Sequence, residues 1–361
     1  MPTRLPHVLI ARLDNAGDVL LAGPAVRAVA AGARRVTFLA GPAGGAAAEL
    51  LPGVDEVAVF DAPWSGYEPP PVDPAAVEGL VARVRALGVD EAVMLTSFHQ
   101  SPLPLALLLR LAGVGRLAAA SVDYPGSLLD VRHRVPEGLH EVERACSIVG
   151  AFGHRLPAGD DGRLALRHPL PRWRPFDEPY VVVHPGASVP ARAWDLARNR
   201  ALVEALVAGG RRVAVSGTGS EQALTRAVAG PPRAGVVDLG GRTDLAGLAG
   251  VLEGADALVC GNTGPAHLAA AVGTPVVSIF APVVPAAQWA PWGVPVALLG
   301  DQAIACAGCR ARVCPLPGQP CLGGVQVGEV VAALDALLGA PPEGPLGPPP
   351  QRSRLETGAA R

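Results

Sequence analysis

The residues best suited to chemistry in this chain sit just after short apolar runs. In Ala257-Leu-Val-Cys-Gly-Asn262-Thr263-Gly264-Pro265-Ala-His267-Leu-Ala-Ala-Ala-Val-Gly273, the run to Cys260 reads as a buried strand and the stretch from Pro265 as a helix. Asn262 and Thr263 stand where a helix N-cap belongs, Pro265 suits the first helical position, and Gly273 with Pro275 closes the helix. Free N–H groups and the positive end of the helix dipole make such a start an anion site. Gly264 lets a ligand approach the backbone, and His267 in the first turn either reaches that ligand or packs as an ordinary core histidine.

A second stretch, His184-Pro-Gly-Ala-Ser188-Val-Pro-Ala-Arg192-Ala-Trp194, also follows an apolar run. Ser188 and Arg192 can reach phosphate oxygens, and a guanidinium suits a bidentate grip; the plain alternative is a surface loop with a solvated arginine. Ser216-Gly-Thr-Gly-Ser-Glu221 is glycine-rich but fits neither the dinucleotide fingerprint nor the Walker pattern. Glu221 either holds ribose hydroxyls or complements a helix dipole. Near the start, Asp18 ends the loop Leu13-Asp14-Asn15-Ala16-Gly17-Asp18. It is either a helix cap or a carboxylate general base, with Asp14 as rival for the second role.

Six cysteines are present, four of them Cys306, Cys309, Cys314 and Cys321. An opening Cys-x-x-Cys with two more thiols close behind points to a structural zinc knuckle, against two disulfides or a chance cluster. Cys146 and Cys260 lie in apolar surroundings and read as inert core residues.

These residues need a scaffold, and the chain supplies a regular one. Apolar runs alternate with helix-spaced stretches twice: from His7-Val-Leu-Ile-Ala-Arg12 to a helix over 139–152, and from Tyr180-Val-Val-Val-His184 to a helix over 327–338. Strand–helix alternation calls for parallel, doubly wound sheets, so the fold class is α/β with two Rossmann-like domains facing across a cleft. The expected division is 1–153, a Pro-, Asp- and Arg-rich linker 154–179, a second domain 180–339 and a Pro/Gly-rich disordered tail 340–361. Ligands of such sheets bind at the carboxyl ends of the strands.

Of the 361 residues half are apolar and 17% are charged, which supports large cores. All 30 basic residues are arginine, net charge is −2 and there is no basic tract, so nucleic acid is not an expected partner. No secretory signal is visible, and the most apolar segment, 103–115, is too short to span a bilayer. A cytoplasmic location, with peripheral contact at the inner membrane face, is expected.

Several of these stretches together resemble glycosyltransferase family 9, the heptosyltransferases. They are Val8-Leu-Ile-Ala-Arg12 with Gly17-Asp18-Val-Leu-Leu and Pro24-Ala-Val-Arg27, then His184-Pro-Gly-Ala-Ser188 with Arg192 and Trp194, and Asn262-Thr-Gly-Pro-Ala-His267-Leu-Ala-Ala-Ala. Trp289, Trp292 and the cysteine cluster are similar to the stretch that follows in the heptosyltransferase II branch. The resemblance implies a GT-B fold, with acceptor on the first domain and a nucleotide sugar, typically ADP-heptose, on the second. It implies inverting transfer with no cofactor or metal needed for catalysis, onto a saccharide or lipopolysaccharide-like acceptor. By position Asp18 matches the catalytic base and Arg12 a basic residue near acceptor or phosphates. Ser188 and Arg192 match the diphosphate loop, Thr263, Gly264 and His267 the helix start beneath it, and Glu221 a ribose-binding carboxylate. The family usually has lysine at Arg192, where the charge survives, and often aspartate at Asn262, where it does not. Arg132, His133 and Arg134 are acceptor-side candidates. A nucleotide-sugar epimerase and a non-catalytic nucleotide-sugar binder are the alternatives; a dehydrogenase lacks its glycine fingerprint.

Overall fold

The computed structural model describes residues 4–66, 68–97 and 100–339; the predicted tail, 340–361, lies outside the described residues. The first half runs β1 (His7–Arg12), α1 (Ala16–Leu21), α2 (Gly23–Ala30), β2 (Arg35–Ala40), α3 (Gly45–Glu49), β3 (Glu56–Val59), α4 (Pro74–Leu87), β4 (Glu91–Met94), α5 (Leu103–Leu111), β5 (Arg116–Ala120), β6 (Val131–His133) and α6 (Glu141–Ala151). The second runs β7 (Tyr180–His184), α7 (Leu196–Ala208), β8 (Arg212–Val215), α8 (Gln222–Ala229), β9 (Val236–Asp238), α9 (Leu245–Glu253), β10 (Ala257–Gly261), α10 (Gly264–Ala271), β11 (Val276–Ile279), α11 (Ala286–Trp289), β12 (Val296–Leu299), α12 (Pro320–Gly323) and α13 (Val327–Gly339).

Among the described residues the strands form two six-stranded parallel sheets, ordered β3-β2-β1-β4-β5-β6 and β12-β11-β10-β7-β8-β9. Each sheet therefore reverses direction beside its first strand, between β1 and β4 and between β7 and β10. A crevice opens at the carboxyl ends there.

The central strands are buried along their whole length, as continuous apolar runs in a two-sided parallel sheet should be. Alternate side chains feed different cores: Val8 and Ile10 point one way, Leu9 and Ala11 the other. The inward set joins Leu258 and Cys260 of β10 and Ala266, Leu268 and Ala269 of α10 in one cluster. A single apolar core thus runs from one sheet to the other through α1 and α10. The span 154–179 has no helix or strand, yet it is fastened down: Arg27 Nε meets Asp160 Oδ2 at 2.6 Å, and Arg167 N donates to Leu50 O at 2.7 Å.

The helix after β1 is divided at Ala22 into α1 and α2, with Pro24 in the first turn of α2. β6 and β12 are edge strands of their sheets. Both are short and half-exposed; β6 has no apolar run, whereas β12 is an apolar run of only four residues, Val296–Leu299.

Candidate active site

At the first sheet's crevice the organising side chain is Arg12, the last residue of β1, which is 3% exposed. Each nitrogen of its guanidinium has a carboxylate close by: Nε–Asp14 Oδ2 at 2.7 Å, Nη2–Asp18 Oδ1 at 3.1 Å and Nη1–Glu141 Oε2 at 3.2 Å. Nη2 also donates to Ser97 Oγ at 2.9 Å, and that hydroxyl donates to Asp14 Oδ2 at 3.0 Å. Gln100 Nε2 donates to Asp14 Oδ1 and, at 3.1 Å, to Ser65 Oγ. Glu141 Oε1 lies 3.5 Å from Arg144 Nε. Burial works against the charge on Arg12, but Asp14, Asp18 and Glu141 outweigh it and hold the group protonated. All of its nitrogens face carboxylates.

Asp18 does not cap α1. Asn15 is at the N-cap, and Asp18 lies in the first helical turn with 16% of its side chain exposed. Burial, then the charges of Asp14 and Glu141, push its carboxyl up to about 6 against the pull of Arg12. Asp18 is thus ionised at neutral pH and basic enough to take a proton. Asp14, the rival, is tied by Arg12, Ser97 and Gln100.

The second crevice is built differently. A single 3-10 turn, Pro190–Arg192, lies on the end of β10, where a Cβ on Gly261 would stand 2.6 Å from Arg192 O. Only glycine permits that approach. Arg192 Nε is buried without a hydrogen-bond partner. Ser188 is exposed in the same loop. Thr263 occupies the N-cap of α10 without a side-chain cap bond, and Pro265 stands in the first turn. Asn262 does not cap either: its Nδ2 donates to Ala281 O at 3.3 Å, while Oδ1 is buried and unpartnered. His267 Nδ1 is likewise buried and unpartnered. Burial, helped by the charge of Arg192 and by His140, drives the His267 imidazole down to about 3, so it is neutral. Glu221 Oε2 accepts from Thr218 N and Oγ1, both at 2.8 Å, and Oε1 occupies the space that a Cβ on Gly186 would fill.

The two crevices meet. A Cβ on Gly17 would come within 3.0 Å of His267 Cδ2 and 3.3 Å of Gly264 Cα. The start of α1, one residue before Asp18, therefore rests on the start of α10. His140 at the N-cap of α6 helps hold the halves together. Its Nδ1 accepts from Val142 N at 3.2 Å, its Nε2 donates to Ala290 O at 2.9 Å, and its ring stacks on Trp292 at 4.5 Å. These bonds place its proton on Nε2, and burial lowers its basicity in keeping with that neutral form.

Glu141, Arg144, Ser97, Gln100 and His140 were not anticipated from sequence. Glu141 is 129 positions from Arg12, and nothing local marks it except an acidic helix start. Of the acceptor-side candidates, His133 is lowered in basicity by burial and then by Arg144. Arg132 Nε donates to Ser121 O at 2.9 Å, His133 Nε2 meets Ser147 Oγ at 3.2 Å, and Arg134 is exposed beyond the edge strand. The cysteines are free thiols, and no group of three or more His, Cys, Asp or Glu among the described residues is arranged to hold a metal. Cys321 is buried in α12, whereas Cys309 is exposed. Burial and then the neighbouring thiols Cys314 and Cys306 push the Cys321 thiol up.

A family model for glycosyltransferase family 9 (heptosyltransferase) matches residues 106–319, more than half of the chain. Lipopolysaccharide heptosyltransferase 1 of Pseudomonas aeruginosa is 35% identical over 186 residues, 49% of this chain and 49% of that protein. Lipopolysaccharide heptosyltransferase 3 of Escherichia coli is 30% identical over 179 residues, 44% of this chain and 50% of that protein. The chain spans about half the length of the curated relatives it matches. In fold it is similar to a family 9 glycosyltransferase from Veillonella parvula, with a TM-score of 0.74 at 16% identity over 94% of this chain and 98% of that one. It is also similar to the E. coli ADP-heptose heptosyltransferase II, with a TM-score of 0.69 at 17% identity over 92% and 98%. Two parallel Rossmann-like sheets facing each other across a closed crevice are thus the GT-B arrangement, and the chain belongs to glycosyltransferase family 9.

Proposed function

We propose that the chain transfers a sugar, heptose by kinship, from an ADP-sugar to a hydroxyl of a saccharide or lipopolysaccharide-like acceptor. The observation that carries this reading is the contact of Gly17 with Gly264 and His267, which sets a basic carboxylate beside an anion-binding helix start. Asp18 takes the proton of the acceptor hydroxyl as its oxygen attacks the anomeric carbon, and the bond from that carbon to the diphosphate breaks. One displacement with one base inverts the configuration. The departing charge is received by Arg192 and the amides at Thr263 and Gly264, with Ser188 at the loop's exposed end. These groups supply positive potential themselves, which supports transfer without a metal. His267 and Asn262 offer neutral polar atoms to the sugar diphosphate, and Glu221 faces the ribose. The names of the relatives support this donor: one E. coli heptosyltransferase of the same fold was solved with ADP and with ADP-2-deoxy-2-fluoro heptose.

Cytoplasmic action, with acceptor presented at the inner membrane face, goes with that reading; no helix among the described residues is long and apolar enough to cross a membrane. The test is ADP release from ADP-heptose with and without a core-saccharide acceptor, with the product anomer assigned by NMR. Release only when both are present, with inversion, is expected. ADP or sugar interconversion without acceptor would indicate an epimerase, and donor binding with no turnover a non-catalytic binder. Either outcome overturns the proposal.

A further inference from the structure

Residues 302–324, which carry the four cysteines, have no role in the chemistry above, yet they are bonded to the loops that bound the second crevice. Gly308 N donates to Pro282 O at 2.7 Å and Arg310 N to Val283 O at 3.0 Å. On the Arg192 side, Ala191 N donates to Arg312 O at 2.9 Å and Gln319 Nε2 donates to Ala191 O at 2.7 Å. Both amide groups of the residue before Arg192 are therefore claimed by this segment.

The backbone marks the same two points. Among the described residues, the non-glycine positions in the left-handed region are Arg310, at φ 57°, and Gln319, at φ 46°. Side-chain-bearing residues adopt that conformation at a cost, and an outlier of this kind asks for a reason. Here each outlier bonds a loop of the crevice. Gln319 is also the N-cap of α12, but its side chain makes no cap bond; it reaches 128 positions back to Ala191 instead.

We propose that Gln319 is a positioning residue for Arg192, and that the cysteine-bearing segment sets the aim of the guanidinium toward the donor diphosphate. This rests on the donor-site reading given above. The Arg192 side chain has a buried Nε without a hydrogen-bond partner, so its direction comes from its backbone. That backbone is held by Gly261 beneath its carbonyl and by Gln319 and Arg312 around Ala191. A pre-aimed donor binds phosphate without first losing conformational freedom.

The test is calorimetric titration of ADP against Gln319→Gly and Gln319→Asn. Both tolerate a positive φ, and both lose the reach to Ala191. Each should weaken ADP binding about three- to tenfold, as for the loss of one hydrogen bond, with the free protein still folded at the temperature of the titration. The donor KM should rise with little change in kcat. Placed on an Arg192→Ala background, each should add no further loss, because the effect passes through that side chain. Unchanged ADP affinity in both variants, or an equal further loss on the Arg192→Ala background, overturns the inference. Arg192→Ala that binds ADP as the parent does would instead overturn the donor-site reading.

Discussion

The two crevices share a strand order and differ in how their polar groups are satisfied. At the β1–β4 crevice, Arg12 has a carboxylate oxygen within 3.2 Å of each nitrogen, and Asp14 is bonded in turn by Ser97 and Gln100; the buried atoms there without a hydrogen bond, Arg12 Nε and Glu141 Oε1, still face an opposite charge within 3.5 Å. At the β7–β10 crevice, Arg192 Nε, Asn262 Oδ1 and His267 Nδ1 are buried with no hydrogen-bond partner. Buried polar atoms without partners are uncommon and need an explanation. A ligand that brings its own charges, such as a diphosphate, supplies one. A group that must stay basic gains from the opposite design, in which counterion and neighbouring carboxylates are built into the protein.

The sharpest break between the two comes from Asp18→Asn, which removes the base and keeps its shape. Turnover should fall by about 10²- to 10⁴-fold, the usual range for a positioned base, while ADP binding is kept and tightens modestly, because a negative charge beside the diphosphate is removed. Persistence of full activity would shift the role to Asp14 or to water. Arg12→Ala should act on the fold instead. It leaves Asp14, Asp18 and Glu141 without their shared counterion, and breaking a buried pair costs roughly 3–5 kcal/mol. Urea unfolding reads that loss, and stability within 1 kcal/mol of the parent, against the roughly 3 kcal/mol expected, would deny Arg12 its central place. Arg192→Ala should do the reverse. ADP binding should weaken by about 1.5–3 kcal/mol, the worth of a charge-assisted contact, with unfolding unmoved because no buried charge loses its partner.

Much of this contrast was legible in the sequence, and the limits have physical causes. The central strands and α10 were readable because burial on both faces demands unbroken apolar runs such as Val181–Val183. Local motifs then placed Asp18, Arg192 and His267 at strand ends. Edge strand β6 leaves no apolar run to read, and β12 is an apolar run of only four residues. Glu141 and His140 escaped for another reason: they join the site only when α6 packs against α1 and α2, and residues far apart in sequence leave no local trace of such a meeting. Asp18 showed the opposite failure. Its preference for helix caps was a sound local argument, but Asn15 took that position once the helix began at Ala16. The cysteine spacing says nothing of burial, and the fold buries Cys321 and leaves Cys309 exposed.

The smallest effect tests how the first crevice tunes its base. The Asp18 carboxyl is pushed up to about 6 by burial, with Asp14 and Glu141 adding to the rise and Arg12 opposing it. The base works only when ionised, so kcat/KM should climb with pH through about 6 and level off above it. His267, held neutral down to about 3, adds no second limb in that range. Glu141→Gln removes one nearby negative charge and frees Arg12 to favour Asp18. Both changes stabilise the ionised form, so the limb should move to lower pH, by less than about one unit. Bound donor has the opposite sign, because its diphosphate adds negative charge beside the carboxylate. The limb in kcat, which reports the loaded enzyme, should therefore lie above the limb in kcat/KM. A Glu141→Gln profile displaced to higher pH would mean that the buried carboxylate cluster does not control the base, and that another group sets the titration.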